Sequence, residues 1–358
     1  MTALIIFGIL VALMLTGMPI SIALGLTVLT FLFTMTTVPL DTVALKLFTG
    51  IEKFEIMAIP FFILAGNFLT HGGVARRMIN FATSMVGHWH GGLGLAGVIA
   101  CALFAAVSGS SAATTATIGR ISLPELKKRG YDDRLAIGSL AGAGTLGLLI
   151  PPSVVMIVYG VAAQVSITRL FIAGILPGLL LMALFSGYIV IWALMNPERM
   201  PQGIERISLT EKIVRARLLI PVVALIVAVI GSIYAGIATA TEVSAIAVVY
   251  AFVIGVVLYG GIPRRRVVPM LVETVAMSGA ILLILGTASA MSWALTQSGF
   301  ARDLTALMAG LPGGPAIFLV ASIVVFLILG CVLEGLPAIV LLAPIMFPIA
   351  RGLGIHDI

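Results

Sequence analysis

The residues best suited to chemistry lie between Ala105 and Leu126, read as AAVSGSSAATTATIGRISLPEL. Ser108, Ser110, Ser111, Thr114, Thr115 and Thr117 crowd hydroxyls into a chain that is otherwise strongly apolar, with Gly109 among them and Pro124 closing the run. Downstream, Ala141 to Ser153 reads AGAGTLGLLIPPS. A glycine-rich turn running into Pro151-Pro152 cannot be an unbroken helix. Ser108 to Ser111, set against Gly144, Thr145 and Gly147, offer hydroxyl and unwound carbonyl oxygens without a buried charge. Such a donor set coordinates a ligand, and Gly109 lets backbone approach it closely. A third candidate is Leu333-Glu334-Gly335-Leu336-Pro337, where Glu334 is an acid inside an apolar run. An ionisable residue at membrane depth is functional by default, and Gly335 repeats the close-approach argument.

Those residues need a positioning frame, and composition says what kind. The chain has 358 residues, 61% of them hydrophobic and only 9% charged. A soluble domain carries roughly 25% charged residues, so this is an integral membrane protein. Apolar runs of about 20 residues indicate helices rather than a barrel. The net charge of +6 is what basic cytoplasmic loops produce and calls for no nucleic acid. Cys101 and Cys331 both lie in apolar runs and read as buried packing residues, with no disulfide or metal spacing. The N-terminus lacks a basic region ahead of its apolar run and reads as a retained span.

Along the chain, residues 3–36 predict two short crossings joined at Gly17-Met18-Pro19, and residues 40–53 predict an amphipathic interfacial helix. Residues 54–70 cross, and 74–90 lie at headgroup level. Residues 93–107 are short for a span and predict the entering arm of a re-entrant hairpin that returns by Pro124. Residues 135–163 form a crossing broken at Gly147 to Pro152, and 170–195 cross back. Residues 197–217 read as a polar linker, followed by crossings at 218–236 and 240–260. Arg264 to Arg266 begin a short surface helix, 273–297 cross, and 315–331 with 338–350 flank a second non-helical tip at Leu333 to Pro337.

Alternating the sides along this path puts 15 of the 20 Lys and Arg residues on one side. The positive-inside rule makes that side cytoplasmic and the N-terminus external. The halves also echo each other. Gly73-Val-Ala-Arg76 matches Gly299-Phe-Ala-Arg302, Thr16 and Ser21 match Thr239 and Ser244, and Pro124 matches Pro348, at offsets of 226, 223 and 224 residues. The expected organisation is a first repeat at 1–196, with a hairpin at 93–124 and a broken helix at 135–163. A linker at 197–217 leads to an inverted second repeat at 218–358, with a hairpin at 315–350. The offset places a counterpart of the Gly144–Pro152 break beyond Ile358, so the second repeat is expected to be truncated. The fold class expected is an all-α polytopic membrane protein with two inverted repeats, the architecture of ion-coupled secondary transporters.

Taken together, MPISIALGL (18–26), IPFFILAGNFL (59–69), SGSSAATTATIG (108–119), LPELKKRGYD (123–132), GTLGLLIPPS (144–153), Tyr159-Gly160 and GIATATEVSAIAVVYA (236–251) cover essentially the whole chain in order. They resemble the large membrane subunit of tripartite ATP-independent periplasmic (TRAP) transporters. The resemblance implies an elevator-type carrier in the bacterial inner membrane that imports an organic acid such as a C4-dicarboxylate or sialic acid. It implies sodium as the coupling ion and no other cofactor. It implies two partners, a small four-helix membrane subunit and a periplasmic substrate-binding protein. Sodium would be held by Ser108, Gly109, Ser110, Ser111, Gly144, Thr145 and Gly147, and by Glu334, Gly335 and Pro337. The substrate would meet Ser111, Thr114, Pro151 and Pro152. Many relatives carry an Asp where Thr114 stands, so charge at that position is not expected here.

Two other classes compete. An intramembrane serine hydrolase would use the Ser108-Gly109-Ser110 tip, but it needs a base within reach of the serine. His71, His88, His90 and His356 are all assigned to segment ends. A passive channel is the other, and inverted hairpins favour alternating access over an open pore. Arg120, Glu242 and Glu273 read as interfacial or structural pairing groups rather than ligands.

Overall fold

In a computed structural model, residues 2–36, 38–199, 203, 207–299, 306, 313–331 and 335–356 are described. Every regular element among them is a helix. The helices are α1 (Thr2–Leu15), α2 (Ile20–Met35), α3 (Asp41–Ile51), α4 (Ala58–His71), α5 (Val74–Val86), α6 (Gly92–Ser108) and α7 (Ser111–Lys128). They continue with α8 (Asp133–Gly144), α9 (Val154–Ala163), α10 (Ile167–Met195), α11 (Leu209–Tyr234), α12 (Ala240–Phe252), α13 (Arg264–Gln297), α14 (Gly314–Gly330) and α15 (Gly335–Gly352). Five helical stretches among the described residues are long and apolar enough to cross a membrane: Phe54–His71, Ile167–Met195, Leu209–Tyr234, Ala240–Leu258 and Arg265–Gln297. The chain is a multi-pass membrane protein.

It divides into two compact units, each discontinuous in sequence. The first contains Met1–Ile56, Val158–Ser166 and Ala276–Ile358. The second contains Met57–Ile157 and Ile167–Val275.

The second unit is built around α6, which packs against α4, α5, α7, α8 and α10. Nearly the whole of α6 is buried, as expected of a helix that is apolar all round. Its glycines and alanines let neighbours come close. A Cβ built on Gly97 would lie 3.1 Å from Leu140, and one on Gly94 would lie 3.3 Å from Ile189. Elsewhere in this unit α4 meets α12 through Phe68 and Phe252, edge to face at 5.3 Å, and through the touching backbones of Gly72 and Gly255.

In the first unit α1 packs on α2. α3 packs on the later turns of α13, where a Cβ on Gly50 would sit 2.5 Å from Ser289 Cβ. Tyr159 and Phe347 meet edge to face at 6.3 Å, tying the end of α9 to α15.

Two pairs of helices have matching dimensions. α6 and α14 each have 17 residues, and each follows a left-handed glycine, Gly91 (φ 73°) and Gly313 (φ 74°). α7 and α15 each have 18 residues, with Pro124 and Pro348 at the same fourteenth position. Left-handed Gly130 and Gly354 follow their ends by two residues.

Several boundaries depart from the sequence expectation. Pro124 and Pro348 do not end their arms; both lie inside helices that run one more turn. A proline removes one intrahelical bond, and in α7 the following Glu125–Lys128 stretch offsets that loss with good helix formers and with Lys127 and Lys128 at the negative helix end. The linker at 197–217 is shorter than expected, since α11 begins at Leu209, capped by Ser208 and braced by the Arg215–Glu211 ion pair. The surface helix at Arg264 and the crossing at 273–297 are one helix, α13. In both cases polarity changes along a continuous helix, because polarity marks where a helix leaves the apolar layer, not where its backbone stops. At the second tip, Gly335, Leu336 and Pro337 form the first turn of α15 rather than a non-helical loop; Glu334 and Arg302 lie outside the described residues. Cys101 is buried as expected, whereas Cys331 is exposed.

Candidate functional site

α6 and α7 form an antiparallel pair joined by a two-residue turn. α6 ends at Gly109, whose φ of 60° is left-handed and whose amide bonds the Ala105 carbonyl. Only glycine takes that turn without strain. Ser110 is extended and caps α7, its side chain accepting from the Ala113 amide at 3.4 Å. The chain therefore reverses within Gly109 and Ser110, and α7 packs back along α6. At the base of the hairpin, Tyr131 Oη accepts from the Leu93 amide at 3.3 Å.

At the tip a small hydroxyl cluster is sealed from solvent. Thr114 is fully buried and Ser108 nearly so. Thr114 Oγ1 donates to the Ser110 carbonyl at 2.7 Å and lies 2.8 Å from Ser108 Oγ. A threonine hydroxyl has one proton, so with that proton on Ser110, Ser108 is the donor to Thr114.

The broken helix meets this tip. α8 ends at Gly144, a 3-10 turn covers Thr145–Leu148, and α9 starts at Val154. The break is wider than Gly147 to Pro152, because the irregular turn begins at Thr145. The Val154 amide donates to the Gly109 carbonyl at 3.3 Å. A Cβ on Gly109 would lie 3.1 Å from the Pro152 carbonyl oxygen, and one on Gly147 would lie 2.7 Å from the Ser110 carbonyl oxygen. Gly144 faces Thr115, whose hydroxyl occupies the space a Cβ would need. Pro151, Pro152 and Ser153 are buried. Ser153 starts α9, donating to the Leu148 carbonyl at 2.9 Å and accepting from the Met156 amide at 3.4 Å.

The structure thus brings Ser108, Gly109, Ser110, Ser111, Gly144, Gly147 and Pro152 together, with Thr114 behind them. Thr145 is different: it is exposed, and its hydroxyl donates to the Gly142 carbonyl at 2.6 Å. Gly335 and Pro337 belong to the other unit. Thr115, one of the crowded hydroxyls, also meets this site through Gly144, and two residues not expected at it, Ser153 and Gly66, do as well. Gly66 touches the tip from α4, with Ser108 Cα 3.3 Å from a built Cβ. Its signal was a glycine inside an apolar helix, which marks close backbone approach.

Of the pairing groups, Glu242 accepts from the Thr239 amide at 2.8 Å while the Thr239 hydroxyl accepts from the Glu242 amide, a capping box at the start of α12.

Residues 7–358 match the family model described as "Tripartite ATP-independent periplasmic transporter, DctM component". The chain is 50% identical over 374 aligned residues to the C4-dicarboxylate TRAP transporter large permease protein DctM of Rhodobacter capsulatus, covering 100% of this chain and 84% of that protein. It is 40% identical over 317 residues to the protein of the same name from Pseudomonas aeruginosa, covering 88% and 74%. It is 36% identical over 360 residues to the isethionate TRAP transporter permease protein DctMQ of Oleidesulfovibrio alaskensis, covering 99% and 55%. These relatives are named as transporter permeases, not enzymes.

Proposed function

The chain belongs to the tripartite ATP-independent periplasmic transporters as their DctM component, the large permease subunit, and from that premise we propose that it carries a small organic acid anion across the bacterial inner membrane together with sodium. The observation that carries this reading is the packing of the Gly109–Ser110 backbone against Gly147 and the Val154 amide. It sets the carbonyl end of α6 beside the amide ends of α7 and α9. A helix C-terminus carries partial negative charge and suits a cation, whereas helix N-termini suit a carboxylate.

Sodium, as co-transported substrate, is a hard cation that prefers oxygen. The donor set fits it: the Ser108 hydroxyl and the backbone oxygens of Ser108, Gly109 and Ser110, with Gly144, Thr145 and Gly147 opposite. Ser111, Thr114, Pro151 and Pro152 border the carboxylate. Glu334, Gly335 and Pro337, beside α14 and α15, are the second set of candidate sodium ligands. The equal lengths of α6 and α14 and of α7 and α15, with prolines in register, support two inverted repeats whose hairpins move as an elevator. The N-terminus lies in the periplasm. A four-helix membrane subunit and a periplasmic binding protein complete the system, the latter delivering the acid. Half of the aligned residues are shared with a C4-dicarboxylate permease, so a C4-dicarboxylate is the substrate to test first.

The test is reconstitution of the protein with both partners in liposomes. An inward sodium gradient should drive uptake of succinate supplied on the binding protein, and preloaded vesicles should show counterflow. Uptake that is unchanged across a sodium titration overturns the coupling. Uptake without counterflow would make the protein a pore.

A further inference from the structure

A cavity of about 410 Å³ opens between α3, the end of α9 and the last turns of α13, wholly within the first unit. Its wall includes Lys46, Lys53, Gln164, Ser289, Ser292 and Trp293, and among the described residues no acidic side chain lines it. Among the described residues, neither lysine has a carboxylate within 4.0 Å. Lys53 Nζ donates to the Val161 carbonyl at 2.9 Å. An ammonium has three donors, so that bond orients Lys53 and leaves donors for a ligand.

The cavity is also built with care for its shape. The direct contact of Gly50 with Ser289 fixes α3 on α13 and holds both lysines opposite Ser292 and Trp293. Gln164 has φ 57°, the one non-glycine with positive φ among the described residues. It closes α9, with the Val165 amide on the Gly160 carbonyl at 2.9 Å. Glycine takes that position without strain; glutamine there places a carboxamide at the cavity instead.

We propose that this cavity is an anion site for a carboxylate or phosphate group. Lys46 and Lys53 are its charged donors, the Gln164 amide and the Ser289 and Ser292 hydroxyls its neutral ones, and Trp293 an apolar wall. Two ammonium groups on one cavity, with no carboxylate within 4.0 Å of either among the described residues, attract an anion, and charge-assisted hydrogen bonds hold it. That the site opens to the periplasm rests on the topology proposed above, in which α3 and the ends of α9 and α13 share that side. Two sources present this chemistry there: a free dicarboxylate, or the headgroup of an anionic lipid.

Trp293 allows a local readout. In a variant with Trp89→Phe and Trp192→Phe, Trp293 is the one remaining tryptophan. The protein, in nanodiscs of phosphatidylcholine, is titrated with succinate and with inorganic phosphate; a second set contains phosphatidylglycerol. A saturable emission change with succinate or phosphate identifies a free-anion site. A change seen only with phosphatidylglycerol identifies a headgroup site. In either case Lys46→Gln should weaken binding by about tenfold, Gln164→Gly by about threefold, and added salt should weaken it further. Lys53→Arg should bind while Lys53→Gln does not. No saturable change with any of the three probes, or an unchanged affinity in Lys46→Gln, overturns the proposal. Sodium-driven uptake measured in parallel separates the two readings. Binding at Trp293 without sodium-driven uptake leaves this site standing and removes the transport assignment; the reverse result removes this site alone.

Discussion

Gly147 and Ser110 touch through their backbones: a Cβ on Gly147 would sit 2.7 Å from the Ser110 carbonyl oxygen and 2.8 Å from its carbonyl carbon. The obstacle is main chain at a capped helix start, so it cannot swing aside. Gly147→Ala should therefore push the hairpin tip off the break, at a cost of about 1–3 kcal/mol. It should lower the thermal unfolding temperature in detergent and abolish sodium-driven uptake. Gly138→Ala is the control, because its Cβ would meet nothing within 4 Å; it should be neutral or slightly stabilising. Equal behaviour of the two variants would mean that the tip and the break do not act as one site.

Ser108 and Thr145 separate the buried face of this site from its exposed face. Ser108→Ala removes a buried hydroxyl but leaves the Thr114–Ser110 bond intact, so folding should survive. The sodium concentration for half-maximal uptake should rise by about three- to tenfold, the equivalent of one modest oxygen contact. Thr145→Ala should have a smaller effect, because water reaches that exposed position and replaces the lost oxygen. Sodium titrations of uptake in the two variants check the order. A larger effect at Thr145 would put the ion on the outer side of the break, away from Ser108.

How much of this was legible beforehand follows from what sets each feature. The reversal at Gly109–Ser110 was legible because a left-handed glycine and a serine cap are local chemistry. The broken helix was legible because Pro151-Pro152 forbids a continuous one. The start of α11 and the continuity of α13 from Arg264 into the 273–297 crossing were not, because Thr210 to Arg217 and the stretch after Arg264 to Arg266 change polarity without breaking the backbone. Which face Thr145 presents was not legible either, since a 3-10 turn rotates side chains away from the α-helical register. The approach of Gly66 to Ser108 and of Gly144 to Thr115 depends on packing between segments far apart in sequence. A glycine announces that something comes near but not what.

Glu242 tests whether an acid near the start of an apolar helix is structural. Its carboxylate accepts from both the Thr239 amide and the Thr239 hydroxyl at 2.8 Å. Glu242→Gln keeps an acceptor able to complete the box and should leave stability nearly unchanged. Glu242→Ala removes the carboxylate half of the box while leaving the Thr239 cap in place, and should lower the unfolding temperature slightly but measurably. Thermal unfolding of the purified variants measures this. If Glu242→Gln abolished uptake while unfolding like the parent, the carboxylate would have a role in transport beyond the cap.

The loop between α7 and α8 gives the test of orientation. Lys127 pairs with Asp133 at 3.1 Å and Arg129 with Glu125 at 2.8 Å, all four side chains substantially exposed. Exposed pairs of this kind contribute little to stability, so the loop tolerates change and its charges serve mainly to choose a side. The positive-inside rule predicts that side to be the cytoplasm. The test places one cysteine at Lys128, which is exposed, in a background where Cys101→Ala and Cys331→Ser remove the native thiols. An impermeant maleimide added to intact cells should leave Cys-free and Lys128→Cys proteins alike unlabelled, and should label Lys128→Cys after the membrane is opened. A cysteine replacing Thr49 in α3, also exposed, should show the opposite pattern and react in intact cells. Labelling of Lys128→Cys in intact cells would invert the whole topology, carrying the lysine-lined cavity beside α3 to the cytoplasmic side.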